Sequence, residues 1–213
     1  MKSCWCCGAR LACLIWGFVT MQVNSTEHSG VPADGEDFYY FGYGSNLLRD
    51  RLQLQNPSAV QVAVGCLKGY KLAFGIFERR ISNWGGGGAT IIPSPDDDVW
   101  GVVWRLKAAD RHSLDKQEGV QNGYYRPIEV QIQRENKEEM MCRTYQMNNC
   151  TSALPSPIYK EVICTGAKQS GLPAEYRKKL EAITTNNYNG TNPFIMEIRA
   201  ILNALQNNRS IKD

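Results

Sequence analysis

Phe38-Tyr-Tyr-Phe-Gly-Tyr-Gly-Ser-Asn-Leu-Leu48 is aromatic and β-prone in its first half, then turns abruptly to Gly42, Gly44, Ser45 and Asn46 before Leu47 and Leu48 begin a helical pattern. The pattern is that of a strand, a tight loop and a helix start. Glycines at such a junction admit unusual backbone angles and a close-approaching ligand, and N–H groups at a helix start form a cradle for an anion or a developing oxyanion. An ordinary strand-to-helix turn capped by Ser45 or Asn46 fits the same residues.

Outward from this stretch, strands come first and helices later. Asn56-Pro57 ends the short helix, and alternation at Val60, Val62 and Val64 and again at Tyr70, Leu72 and Phe74 predicts an antiparallel pair turning at Lys68-Gly69. Gly85 to Gly88 lacks the Lys-Ser/Thr ending of a phosphate loop and reads as a flexible loop at the mouth of a site. Asp96 to Asp98 reads as a solvated hairpin tip before a strand over 99–106, since no further carboxylates follow at calcium-ligand spacing. Ala108 to Glu118 is helical, with Ala109 and Leu114 facing inward and Gly119 as its stop. Ile128, Val130 and Ile132 alternate as a strand whose partner is Met141 to Met147. Ser156-Pro157 caps a helix that runs to Gly171, Pro173 opens a second, and Asn192-Pro193 opens a last one whose apolar face reads as core packing. Strands before helices define an α+β fold.

The 213 residues suit one domain with appendages. With 24 basic against 21 acidic residues and no basic block beyond Arg79-Arg80, nucleic acid is a poor partner. The only histidines are His28 and His112, which argues against a His-built metal site and a Ser/His/Asp triad. At the amino terminus, Lys2 and Arg10 precede or flank an apolar run from Leu11 to Val23, the length of a signal-peptide core and short for a bilayer span. Residues 1–25 are read as a secretory signal and 26–36 as a flexible leader; a membrane anchor or an upstream-start extension are the competing readings. Sequons at Asn24, Asn149, Asn189 and Asn208 agree with secretion. Removal of the signal leaves Cys66, Cys142, Cys150 and Cys164, an even set that permits disulfides or stays as buried thiols.

Glu118 is the carboxylate singled out for chemistry. At the carboxyl end of a helix the dipole disfavours negative charge and raises the pKa of an acid, which suits a general base near neutral pH. A surface glutamate in a last helical turn is the plain alternative, and Glu161 is the nearest rival.

Phe41-Gly-Tyr-Gly-Ser-Asn-Leu-Leu48, Asn56-Pro-Ser-Ala59, Val99-Trp-Gly-Val-Val-Trp104, Ser113-Leu-Asp115 with Gln117-Glu-Gly-Val120, and Pro155-Ser-Pro157 with Tyr159-Lys160 and Gly166-Ala-Lys168 together resemble the γ-glutamylcyclotransferase family, in collinear order from about Phe38 to Ile183. The resemblance implies a compact mixed fold around a small β-barrel with flanking helices over 37–185, with residues 186–213 a C-terminal helix and polar tail. It implies a protein that is often a homodimer, and an enzyme that turns γ-glutamyl amino acids into 5-oxoproline and the free amino acid without metal or cofactor. By that likeness Glu118 is the catalytic acid/base, Tyr40, Phe41, Gly42, Tyr43, Gly44 and Ser45 form the substrate loop, and Tyr159 contacts substrate. Members of the family are typically cytosolic, so the leader and sequons depart from it. Cys66 and Cys150 fall where the family pattern lacks cysteine, which marks them for an added disulfide. A secreted binding protein that kept the fold and lost turnover is the alternative function.

Overall fold

A computed structural model describes residues 36–78 and 82–210. The expected signal segment 1–25, all of the 26–36 leader except Glu36, and the Arg79-Arg80 pair lie outside these residues.

β1 (Phe38–Gly42) is followed by a 3-10 turn at Ser45–Leu47 and a short α1 (Arg49–Gln53). Two long strands come next, β2 (Val60–Phe77) and β3 (Gly88–Leu106), then α2 (Arg111–Gln117), β4 (Tyr125–Arg134), β5 (Glu139–Met147) and the three-residue β6 (Cys150–Ser152). Three helices close the chain: α3 (Pro157–Gln169), α4 (Ala174–Glu181) and α5 (Pro193–Ser210). The sheet order β3-β1-β5-β4-β2-β6, with β2 also paired to β3, closes the first five of these strands into a ring and leaves β6 as an appendage on β2. This is the α+β fold with a small barrel and flanking helices expected from the sequence.

The region 60–77 is not the expected hairpin. Lys68-Gly69 does not reverse the chain: Gly69, at φ 74°, sits in a bulge between Lys68 and Tyr70, and the strand runs on, paired with β3 on both sides of it. Asp96 to Asp98 is likewise strand rather than tip, with Asp98 opposite Lys68 and ion-paired to it. A bulge adds bend and twist, which lets two strands of 18 and 19 residues curl far enough to close a barrel. At Gly65 β2 crosses close to β4, and a Cβ there would lie 2.3 Å from Ile132 Cγ2.

Phe41, Val102, Val103, Trp104, Leu106, Leu114, Ile132 and Tyr145 fill the main core, joined by Tyr159, Ile163 and Ala167 from α3. Leu114 faces inward as expected while Ala109 is exposed. The α3 start follows the sequence signals: Ser156 Oγ accepts from the Tyr159 N–H at 3.3 Å, with Pro157 at the first helical position. A second apolar cluster joins Leu48, Ile158, Val162, Ile195, Ile198 and Leu202, and it seats α5 against α3 and the loop end.

Candidate active site

β1 delivers the loop and two neighbours immobilise it. The buried Trp104 of β3 donates from Nε1 to the Asn46 carbonyl at 3.0 Å. From the other side, α3 packs against the loop backbone at Gly166, where a Cβ would stand 2.4 Å from the Leu48 nitrogen, and Ser170 Oγ donates to the Leu47 carbonyl at 3.0 Å. The loop therefore sits between barrel and helix with little freedom to relax.

Glu118 occupies the carboxyl cap of α2, its N–H donating to the Leu114 carbonyl, and Gly119 at φ 66° takes the left-handed conformation that ends the helix. Asn46 Nδ2 donates to Glu118 Oε1 and to the Tyr40 hydroxyl, both at 2.9 Å. Gln117 Nε2 donates to Asn46 Oδ1 at 2.9 Å, and Asn56 Nδ2 donates to Gln117 Oε1 at 3.0 Å. Each amide fixes the orientation of the next, so the donor end of Asn46 faces the carboxylate. The Glu118 pKa is raised to about 7, chiefly by burial, while Arg51, Asn46 and Gln117 pull it down and Asp115 adds to the rise. Burial, which the helix pattern does not reveal, is the leading cause. The same Asp115 receives a two-pronged bond from Arg143 Nη2, at 2.8 and 3.0 Å, which anchors α2 to β5.

Tyr159 projects from α3 to the opposite side of the site. Its hydroxyl oxygen accepts from the Ala89 N–H at 3.0 Å, with the Ser45 backbone amide as a second donor. With its oxygen engaged as acceptor, the phenol keeps its own hydrogen for a ligand. Burial pushes its pKa up to about 12, so it is protonated at neutral pH. Tyr43 donates to the Tyr145 carbonyl at 2.5 Å, and burial raises the pKa values of Tyr40 and Tyr43 well above the usual phenol value.

These groups surround two connected spaces that share Ser45, Glu118, Tyr125 and Tyr159. The inner recess, about 30 Å³, is framed by Gly44, Ser45, Asn46 and the rings of Tyr40, Tyr43 and Tyr145. The outer cavity, about 750 Å³, is walled by Arg51, Phe77, Trp84, Tyr124 and Phe194, with Lys116 also on it. Of the Gly85 to Gly88 run, expected as a flexible loop at the mouth, only Gly88 lines it, beside Trp84; the four glycines are buried, with Gly86 and Gly87 packed against the backbone of 153–156.

Of the expected site residues, Glu118, Tyr40, Tyr43, Gly44, Ser45 and Tyr159 come together around the recess. Phe41 does not: its ring is fully buried in the barrel core, and neither space is lined by it. Strand alternation sends successive side chains to opposite faces, so the neighbour of Tyr40 points away from it. Gly42 serves the loop by its size, since a Cβ would press to 3.0 Å from the Asn46 carbonyl. Glu161, the rival base, is exposed and lies on a separate depression with Asn187 and Arg199. Sequence reasoning missed the site roles of Asn46, Arg51, Gln117, Trp84 and Phe194. For Arg51 a signal existed: it stands three residues after Leu48 and next to Leu52, on the apolar face of its helix.

Cys66, Cys142, Cys150 and Cys164 are free thiols. The Cys66–Cys150 pair expected as a disulfide is not made, for a plain geometric reason. Cys150 lies opposite Phe77 in β6, while Cys66 lies near the middle of β2, beside Trp100. Along a strand that interval spans roughly 30 Å, against the ~7 Å a disulfide bridges between Cα atoms.

A carboxylate of raised pKa at the junction of a recess and a cavity, held by a closed barrel, marks the candidate active site of an enzyme. The model of the AIG2-like family matches residues 98–180. The chain is 54% identical over 158 residues to the gamma-glutamylcyclotransferase of Bos taurus, covering 74% of this chain and 84% of that protein. To the Homo sapiens gamma-glutamylcyclotransferase it is 51% identical over the same shares. A solved structure described as gamma-glutamyl cyclotransferase superposes with a TM-score of 0.74 at 49% identity, covering 76% of this chain and 98% of that one. YkqA from Bacillus subtilis shares the fold alone, at a TM-score of 0.59 and 22% identity. The chain belongs to the γ-glutamylcyclotransferase family.

Proposed function

We propose that this chain cyclises γ-glutamyl amino acids to 5-oxoproline and releases the free amino acid. The observation that carries the reading is the Glu118 carboxylate, tuned to about 7 and held by Asn46, facing the Tyr159 hydroxyl across one recess. The substrate brings its own nucleophile, an α-amine that is largely protonated at neutral pH. The ammonium first gives one proton to solvent, and as the free amine bonds to the γ-carbonyl carbon Glu118 accepts a second proton from that nitrogen. The amide C–N bond then breaks, and Glu118 returns the proton to the departing amine. Tyr159, held as a donor by backbone amides, stabilises the oxygen on which negative charge develops. Attack within one molecule makes proximity the main contribution of the site. The glutamyl head, whose carboxylate suits the small recess beside Gly44 and Ser45, places its amine against Glu118, and the leaving residue extends into the outer cavity.

The test is 5-oxoproline release from a panel of γ-glutamyl dipeptides by wild type and by Glu118→Gln. Release by the wild type alone supports the reading, whereas release by both moves the base elsewhere.

The proposal includes secretion. The Leu11 to Val23 run and the sequons support it, and the sequon asparagines Asn149, Asn189 and Asn208 are all exposed. A glycosidase-sensitive mass in the medium of expressing animal cells is the expected result; an unglycosylated product confined to cell lysate overturns it. Homodimerisation rests on the family resemblance, and light scattering of the purified protein tests it.

A further inference from the structure

The leaving residue occupies a cavity containing one buried charged group that the reaction above does not use. Arg51 is 7% exposed, and its Nε is buried with no hydrogen-bond partner among the described residues. None of the carboxylates among those residues is ion-paired with it; Glu118 and the exposed Glu197 of α5 act on it through their charge alone. The side chain is held from outside: its guanidinium lies 5.6 Å from the Phe194 ring centre, Phe194 meets Trp84 edge-on at 4.6 Å, and Trp84 packs on Tyr159 at 4.6 Å. This cation–π contact uses none of the N–H donors and leaves them for a ligand. A buried guanidinium without a partner is costly unless a bound anion completes it.

We infer that Arg51 binds the free α-carboxylate of the leaving amino acid and thereby selects γ-glutamyl dipeptides over substrates in which that carboxylate is blocked. The inference rests on the cyclotransferase reading of the same cavity. A γ-glutamyl dipeptide carries two carboxylates, and the recess of about 30 Å³ has room for the glutamyl one only. The second travels with the leaving residue into the outer cavity, where Arg51 is the buried cation, Lys116 lying exposed at its edge. The wall of Trp84, Phe194, Phe77 and Tyr124 then takes the side chain of that residue. Arg51 touches substrate in this arrangement and takes no proton, so it determines specificity.

The experiment compares γ-glutamyl-phenylalanine with its C-terminal amide, on wild type, Arg51→Gln and Arg51→Lys. A charge-assisted contact of this kind predicts kcat/KM about 10- to 100-fold higher for the acid than for the amide in the wild type. In Arg51→Gln that ratio falls to about one and Arg51→Lys restores part of the preference; the rise in the Glu118 pKa on losing Arg51 acts on both substrates alike, so the ratio reports the contact. A structural role for Arg51 lowers both substrates together and keeps the ratio, which overturns the inference. A wild type that releases no 5-oxoproline from either peptide fails the cyclotransferase reading instead. The inference is then judged by binding: the thermal shift given by acid against amide on Glu118→Gln and on the Glu118→Gln, Arg51→Gln double variant, where loss of the acid preference in the double variant supports it and retention refutes it.

Discussion

Glu118→Gln removes a negative charge that the fold does not favour, and the consequence reaches beyond activity. A glutamate whose pKa is raised from 4.5 to about 7 is bound less well as a carboxylate than as the neutral acid. Each pH unit of that difference is worth about 1.4 kcal/mol, which makes the penalty roughly 3 kcal/mol once the group is fully ionised. The sign follows from proton binding. Between the two pKa values the native state holds a proton that the unfolded chain has lost, so wild-type stability falls as pH rises from about 4.5 and levels off above about 7. Glutamine is neutral throughout, matches the shape of the protonated acid and can accept the same bond from Asn46. Its melting temperature therefore matches the wild type near pH 4.5 and exceeds it by roughly 6–12 °C at pH 8 for a domain of this size. Calorimetry of both proteins at half-unit steps from pH 4.5 to 8.5 reads this directly, with 5-oxoproline release measured alongside. Parallel melting curves with a constant offset would refute the claim that burial of an ionised Glu118 is the destabilising element, even if the variant were inactive.

Other perturbations give distinct signatures. Asn46→Ala removes the bond that lowers the Glu118 pKa, so the limb of the pH–activity profile that rises near 7 moves to higher pH, read from kcat/KM between pH 5 and 9. Tyr159→Phe leaves the Ala89 N–H without its acceptor and the reacting oxygen without its donor, with kcat lowered about 100-fold and stability by roughly 1–3 kcal/mol in a denaturant titration. Gly166→Ala forces a methyl to within 2.4 Å of the Leu48 nitrogen, at a cost of roughly 1–3 kcal/mol and with KM and kcat both impaired as the loop shifts.

The local parts of this molecule were legible in the residues. The strand-loop-helix start at Phe38 to Leu48, the β4–β5 pair and the capped start of α3 each depend on neighbours in sequence, so composition and spacing carry them. The β2–β3 ribbon was misread because a glycine with positive φ serves equally in a turn and in a bulge, and only the long pairing with β3 decides between them. Glu118 was found by its position at a helix end, yet its pKa comes from burial that no helix pattern reveals. The outer wall was illegible for a stronger reason. Phe194 reaches Arg51 and Trp84 only because α5 docks on α3 through Ile195, Ile198 and Leu202, and the apolar spacing that shows a helix has a core face does not say what its first turn will touch.

The way Tyr159 is held has a bearing on how such a site can change over generations. A hole for negative charge built from backbone amides is nearly immune to substitution, because every residue carries the same N–H. Here a backbone amide donates to a phenol, and that phenol is what lines the recess with a hydrogen left to give. On the mechanism proposed above, one codon therefore controls whether that donor is present. A descendant can surrender turnover in a single step while retaining barrel, loop and cavity, and so become a receptor for the molecule its ancestor cleaved.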